Sequence, residues 1–288
     1  MTTHEVHEIS IDALLPAEMA VRAESIGVRK AGMPFWTVLT LSILAGAFIA
    51  LGAIFATTVA AGVSGVLPYG VARLLIGVVF SLGLILVVVG GAELFTGNNL
   101  IVMAWAGGKV STWSLLRNWG IVYLGNLIGS LGTALLMFMS KQYTFGSGAI
   151  GTAALGIANS KVHFGFVQAI FLGIMCNVLV CLAVWMTYSA RSTVDKIMAI
   201  VFPISAFVAG GFEHSIANMY YIPMALLIKE YDPTFTATTQ LALDGLTWPT
   251  FFVNNLIPVT IGNIIGGAVL VAIIYWFVFL RHMSKEKA

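Results

Sequence analysis

The chain reads Gly-Gly-Ala-Glu-Leu-Phe-Thr-Gly-Asn-Asn at residues 90–99 and Gly-Gly-Phe-Glu-His-Ser-Ile-Ala-Asn at residues 210–218, and both stretches interrupt apolar sequence. Glycine and asparagine disfavour a continuous helix. The apolar run after the first stretch, residues 100–106, would rise only about 10 Å as a helix, whereas a bilayer core is about 30 Å thick. Each stretch is therefore predicted to break a membrane helix into two half-helices.

The two breaks belong to an internal repeat. At a constant offset of 120 residues, Gly90, Gly91, Glu93 and Asn98 match Gly210, Gly211, Glu213 and Asn218. In the helices that follow, at an offset of 137, Asn118, Gly125, Asn126 and Gly129 match Asn255, Gly262, Asn263 and Gly266. Two copies of three helices cross a membrane in opposite directions. The sequence therefore predicts an inverted 3+3 repeat with helices 2 and 5 broken, an arrangement typical of transport proteins.

The composition is that of a membrane protein. Of 288 residues, 59% are hydrophobic and 9% are charged, and the mean hydropathy is +0.97. Soluble domains carry about 25% charged residues, so much of this surface is expected to face a lipid bilayer. The net charge of +2 gives no electrostatic reason to expect a nucleic acid partner.

Six apolar stretches are long enough to cross a bilayer as helices and predict an all-α membrane protein. They lie at approximately 36–61, 71–106, 116–138, 164–188, 197–227 and 250–280. Six crossings put both termini on one side, which receives ten Lys and Arg residues against four on the other. The positive-inside rule then places both termini in the cytoplasm, and helical spans favour an inner membrane.

The chain divides into three parts. Residues 1–35 are predicted to form a cytoplasmic amphipathic segment, whose apolar stripe consists of Ile11, Leu14, Leu15, Met19 and Ile26. This segment either lies against the membrane or the helix bundle, or acts as a movable plug at the inner mouth of a pore. Residues 36–281 form the transmembrane domain, and residues 282–288 form a cytoplasmic tail.

His214 is the most informative side chain, because ionisable residues at membrane depth are usually functional. It could donate a hydrogen bond or a proton to a permeating anion, or it could be a neutral histidine that satisfies the broken backbone. The N-termini of half-helices also favour anions, because their N–H groups are free and the helix dipole is positive there.

Other polar residues allow structural as well as pore-lining roles. Glu93 and Glu213 recur in both copies, so we expect them to stabilise the breaks together with Asn98 and Asn218. Thr96, Asn177 and Asn263 either line the pore or make local and interhelical hydrogen bonds. Lys161, expected at the start of the fourth membrane helix, either reaches the interface or attracts anions. The paired glycines of the repeat, 125 and 129 with 262 and 266, are predicted to pack helices.

The motifs Gly-Gly-Ala-Glu-Leu-Phe-Thr, Phe-Glu-His-Ser-Ile-Ala-Asn-Met and Gly-Asn-Ile-Ile-Gly-Gly resemble those of the formate/nitrite transporter family. The resemblance covers essentially the whole chain and is greatest to the bacterial formate channels. It implies an aquaporin-like protomer, a homopentamer with one pore per protomer, and pH gating by the N-terminal segment.

The resemblance also implies roles for residues that match the family's motifs. Leu94, Phe95 and Thr96 would form the loop that interrupts helix 2, and Thr96 and His214 would flank a central chamber. An apolar constriction would be formed by Phe207 with Phe80 and Leu84, and the polar residues near the pore would be Lys161, Asn177 and Asn263.

These observations predict a channel for formate and related small monovalent anions, with nitrite and hydrosulfide as alternative substrates. A water or glycerol channel is a further alternative, although the paired Asn-Pro-Ala boxes of such channels are absent. No metal-spaced Cys/His set, P-loop or dinucleotide motif occurs, so we expect neither an enzyme nor a bound metal or cofactor. Formate is an anion at neutral pH, and His214 could lower the large desolvation cost by giving it a proton.

Overall fold

The computed structural model describes residues 13–63 and 65–282, and within these ranges the chain forms helices and no strands. The first twelve residues, including Ile11, and the tail beyond residue 282 lie outside the described part. The helices in chain order are α1 Pro16–Ala31, α2 Phe35–Ala60, α3 Tyr69–Gly90, α4 Phe95–Asn98, α5 Val102–Ala106, α6 Thr112–Met139, α7 Ala149–Val162, α8 Phe166–Thr187, α9 Thr193–Ala209, α10 Ser215–Tyr231, α11 Pro233–Thr238 and α12 Trp248–Leu280. Short 3₁₀ turns follow α4 and α6, and α12 includes π-helical segments.

Five of these helices are long and apolar enough to cross a membrane. They have 22 to 33 residues and are α2, α3, α6, α8 and α12. The fifth apolar stretch of the sequence is divided between α9 and α10, which have 17 residues each. The all-α membrane fold predicted from the sequence is confirmed.

Both interruptions begin in the same way. A helix ends at Gly90, Gly91 takes the left-handed conformation with φ of 80°, and the chain becomes helical again at Phe95. In the second copy α9 ends at Ala209, Gly211 has φ of 73°, and α10 begins at Ser215. Left-handed glycine just after a helix is a common way to end it, which explains why the second glycine of each pair is needed.

The paired glycines pack helices, as predicted. A side chain at Gly129 on α6 would collide with the carbonyl of Ile43 on α2. In the same way, a side chain at Gly266 on α12 would collide with the carbonyl of Ile174 on α8. Close backbone approach needs small residues, and here it joins corresponding helices in the two halves of the chain.

Two features of the fold differ from the sequence prediction. Residues 149–162 form α7, which the sequence analysis did not predict, because its Gly, Ala, Ser and Asn residues give it little apolar periodicity. Lys161 consequently lies in the last turn of α7 and not at the start of α8. The second half of the fifth stretch, α10, is also a full 17-residue helix, longer than its counterpart α4–α5.

The α1 helix packs on the bundle through small residues. Ala20, Ala23 and Gly27 face inwards, and a side chain at Gly27 would meet Ala104 and Ile101. Of the predicted stripe of large apolar residues, Met19 is buried against the bundle and Leu15 is 68% exposed. Small residues replace large ones on this face because α1 lies close to the backbone after the first break.

Candidate functional site

The two breaks meet at a hydrogen bond between Thr96 and His214. The distance between Thr96 Oγ1 and His214 Nε2 is 2.9 Å, and both residues are buried, with 0% and 3% of their surface exposed. The site therefore joins one residue from each half of the chain. The hydroxyl comes from the first turn of α4, and the imidazole comes from the residue preceding α10.

The second ring nitrogen fixes the tautomer of His214. The backbone N–H of Ala217 donates to Nδ1 at 3.1 Å, so His214 is the N-cap of α10. In a neutral imidazole the proton then resides on Nε2, which donates to Thr96 Oγ1. Among the described residues, Thr96 Oγ1 makes no other hydrogen bond, so its own proton remains available for an acceptor in the pore.

A buried network holds the first break. Lys30 Nζ donates to Glu93 at 2.9 Å and to the side-chain oxygen of Asn98 at 2.8 Å. Asn98 donates to Glu93 at 2.7 Å and to Asn118 at 3.0 Å, and Asn118 donates to the carbonyl of Lys30 at 3.1 Å. The network ties α1 and α6 to the break between α3 and α4.

The second break has the corresponding network. Lys161 Nζ donates to Glu213 at 2.6 Å, and Asn218 donates to Glu213 and to Asn255 at 2.7 Å each. Asn255 donates to the carbonyl of Lys161 at 3.0 Å. The corresponding partners in two separate networks support the inverted repeat inferred from the sequence, and they make α7 the counterpart of α1.

Asparagines hold the backbone of both breaks. Asn126 accepts from the N–H of Phe95 at 2.9 Å and donates to the carbonyl of Glu93 at 2.9 Å. Asn263 accepts from the N–H of Ser215 and donates to the carbonyl of Glu213, at 3.0 Å each. The backbone groups freed by the breaks are thus satisfied by side-chain amides, while the two glutamates accept from lysine and asparagine side chains.

Two cavities approach the Thr96–His214 pair. The first, here called the α1-side cavity, has a volume of about 280 Å³ and is lined by residues that include Lys30, Leu84, Glu93, Leu94 and Lys196. The second, the α7-side cavity, has a volume of about 340 Å³ and is lined by residues that include Arg73, Phe80, Lys161, Phe207 and His214. Each cavity carries cationic side chains.

Apolar side chains separate the cavities. The rings of Phe80 and Phe207 are in edge-to-face contact, with centroids 5.6 Å apart, and Phe207 lies 5.9 Å from the His214 ring. Leu84 and Leu94 are each 2% exposed and border the α1-side cavity. The structure thus brings together the residues for which the sequence predicted a constriction and a central pair.

Three residues of the predicted pore make contacts that support the helix breaks. The Phe95 ring packs on Trp119 and Tyr123 of α6. Asn177 donates to the carbonyls of Thr96 at 3.3 Å and Asn263 at 2.7 Å. Phe95, Asn177 and Asn263 thus support the breaks, and like Thr96 they do not border either of the two cavities.

Sequence reasoning missed Lys30 and Arg73. Lys30 matches Lys161 at an offset of 131 residues, and Phe35 matches Phe166 at the same offset, so extending the repeat towards the N-terminus would have found it. Arg73 has no counterpart in the repeat. Its signal is a lone cation within the apolar stretch 71–106, but the sequence does not show that it faces α9. Among the described residues, no group of three or more His, Cys, Asp or Glu side chains is arranged to hold a metal ion.

The chain is similar to known proteins over nearly its whole length. The family model described as "Formate/nitrite transporter" matches residues 17–277. The chain is 48% identical to "Formate channel FocA" of Escherichia coli strain K12, over 94% of this chain and 96% of that protein. It is 41% identical to "Formate channel FocA" of Haemophilus influenzae, over 98% of both chains.

A solved structure gives the same result. The fold matches the structure titled "Pentameric formate channel with formate bound" with a TM-score of 0.80 and 48% sequence identity, over 86% of this chain and 98% of that one. The chain belongs to the formate/nitrite transporter family.

Proposed function

We propose that this protein is a channel for formate, assembled as a homopentamer in an inner membrane with both termini in the cytoplasm. The observation that carries the proposal is the Thr96–His214 pair, which lies between two cation-bearing cavities at the meeting point of two helix breaks. The named relatives are formate channels, and the matched structure is pentameric with formate bound. Transport without chemical conversion of the substrate agrees with the named relatives and with the matched structure.

The cavities explain how an anion reaches the centre. Each cavity is net positive, because its lysine–glutamate pair is balanced and further cations line it: Arg22, Arg29 and Lys196 in the α1-side cavity and Arg73 in the α7-side cavity. A cationic group in a narrow cavity raises the local concentration of anions. Beyond the cationic groups, the side chains of Phe80 and Phe207 exclude water. Formate must therefore exchange its hydration shell for the Thr96 hydroxyl and the His214 N–H.

Proton transfer at His214 would remove the remaining free-energy cost of desolvating the formate anion. An imidazolium at His214 gives its Nε2 proton to a formate oxygen, which leaves a neutral imidazole and neutral formic acid to cross the apolar contact. Because Nδ1 accepts from Ala217, His214 can hold a second proton only when that N–H is released. Proton uptake would therefore loosen the first turn of α10.

The substrate is tested by uptake of labelled formate into proteoliposomes at neutral pH, with nitrite or hydrosulfide added as competitor. We expect saturable or channel-like uptake above that of empty liposomes, which resists competition by either anion at equal concentration. Preferential blocking by nitrite or hydrosulfide would make that anion the substrate. Osmotic water flux through the same liposomes, if it exceeded the empty control, would support a neutral-solute channel.

A further inference from the structure

Arg73 lies on α3 at the α7-side cavity and binds the end of α9. Its Nη2 donates to the carbonyl of Val208, and its Nε donates to the carbonyl of Ala209 at 3.4 Å. These are the last two residues of α9. Carbonyls in the last turn of a helix lack helical partners and form the negative end of the helix dipole. The guanidinium therefore covers a negative surface that would otherwise face an anion in this cavity.

Arg73 also sets the charge of the α7-side cavity. The charged residues that line this cavity are Arg73, Lys161 and Glu213. Lys161 and Glu213 form an ion pair at 2.6 Å and balance each other. Arg73 is bound to neutral carbonyls, and it takes part in none of the ion pairs that the structure shows within residues 13–63 and 65–282. With His214 neutral, Arg73 is thus the group that makes the cavity net positive.

The position of Arg73 connects this charge with the constriction. Arg73, Ile76 and Phe80 line the cavity from one face of α3, at spacings of three and four residues. Phe80 contacts Phe207 at the inner end of this face, and Val208, the residue after Phe207, is held by Arg73. An anion that moves along this face passes the guanidinium before it meets the aromatic contact.

We propose that Arg73 determines anion access at the α7-side mouth by covering the carbonyl end of α9 and by supplying the uncompensated positive charge of the cavity. The inference rests on the proposed function, because it concerns the same permeation path. A purely structural cap would stabilise α9 without attracting anions. The two roles differ in their response to salt, because attraction across a water-filled cavity is screened within about 8 Å at physiological ionic strength.

The test is the initial rate of labelled formate uptake at pH 7 into vesicles of known sidedness, with an impermeant salt varied only on the α7 side. We expect uptake by the wild-type protein to fall as this salt rises. Arg73→Gln should lower uptake about three- to tenfold at low salt and flatten the salt dependence. Arg73→Lys, which retains the charge, should retain most of the uptake rate at low salt and most of the salt dependence. Lys196→Gln, which changes a cation of the α1-side cavity, is the matched control and should keep the dependence on α7-side salt.

Each outcome bears on one claim. If Arg73→Gln keeps the wild-type salt dependence, whether or not its rate falls, the electrostatic role is overturned and Arg73 is a structural cap. Wild-type uptake that ignores α7-side salt would overturn the inference while leaving the formate channel intact. If the wild-type protein takes up no formate, the proposed function fails first and the inference falls with it.

Discussion

Thr96 connects the two halves of the chain through one side-chain hydrogen bond. The residue that corresponds to Thr96 in the second half of the repeat is Ile216. A hydroxyl at this position is therefore not required by the architecture of a break. The 2.9 Å contact with His214 uses the oxygen of Thr96 as an acceptor and leaves its proton free. At the scale of single residues, this asymmetry points to a role in handling the anion.

Replacing the hydroxyl should slow transport without unfolding the protein. In Thr96→Val the shape is nearly retained, but the anion loses a donor whose hydrogen bond to a charged group is worth about 1.5–3 kcal/mol. We expect formate uptake by proteoliposomes to fall by about tenfold or more, and Thr96→Ser to recover much of it. Uptake by Thr96→Val equal to that of the wild type would show that the hydroxyl has no part in permeation.

The lysine–glutamate pairs are predicted to be structural partners. Glu213 is 2% exposed, so Lys161→Met leaves a buried carboxylate without its cation, at a cost of about 3–5 kcal/mol. The double variant Lys161→Met/Glu213→Gln removes the charge and should recover a large part of the thermal stability of the purified protein. A double variant no more stable than Lys161→Met alone would contradict this explanation.

At the scale of elements, the breaks could be predicted and α7 could not. Each break contains a glycine in the left-handed conformation, Gly91 or Gly211, together with an asparagine and a glutamate that recur in register. By contrast, α7 has the sequence of a weak helix and is stabilised by contacts with α11, in which Gly148 and Gly151 lie against Phe235. Tertiary packing of this kind has no periodic signature along the chain.

The segment that follows α10 is held by Asp232. Its carboxylate accepts from the N–H of Phe235 at 3.0 Å and from the hydroxyl of Tyr143 at 2.7 Å. The Phe235 N–H first, and then the Tyr143 hydroxyl, hold the pKa of Asp232 below its ordinary value. This group thus joins the start of α11 to the segment between α6 and α7.

The depressed pKa of Asp232 predicts a pH-dependent contribution to stability. The folded state favours the carboxylate, so its stabilisation is complete above the ordinary pKa of about 3.9 and is lost as pH falls towards the folded value. Asp232→Ala should therefore melt about 2–4 °C lower than the wild type near neutral pH, with the gap narrowing below about pH 4. Thermal unfolding in detergent measures the difference in melting temperature between the two proteins. A difference that widens as pH falls would contradict this prediction.

At the scale of the whole molecule, the paired networks divide the protomer into two similar halves with different centres. The breaks, lysines, glutamates and asparagines correspond, whereas Thr96, His214 and Arg73 lack matching residues in the other half. The repeated residues could be predicted from sequence alone because repetition is visible there. The position of Arg73 against α9 depends on how two helices cross, which no local pattern records.

Crossing of formate between the two cavities at His214, with transfer of a proton, is the step on which the proposed function depends. Its most direct test is labelled formate uptake by proteoliposomes over external pH about 5–8, with a pH-sensitive dye inside, for the wild type and for His214→Gln, each compared with empty liposomes. We expect wild-type uptake to increase as external pH falls and to acidify the interior, and a folded His214→Gln variant to lose this pH dependence. Unchanged pH-dependent uptake and acidification in His214→Gln would contradict it.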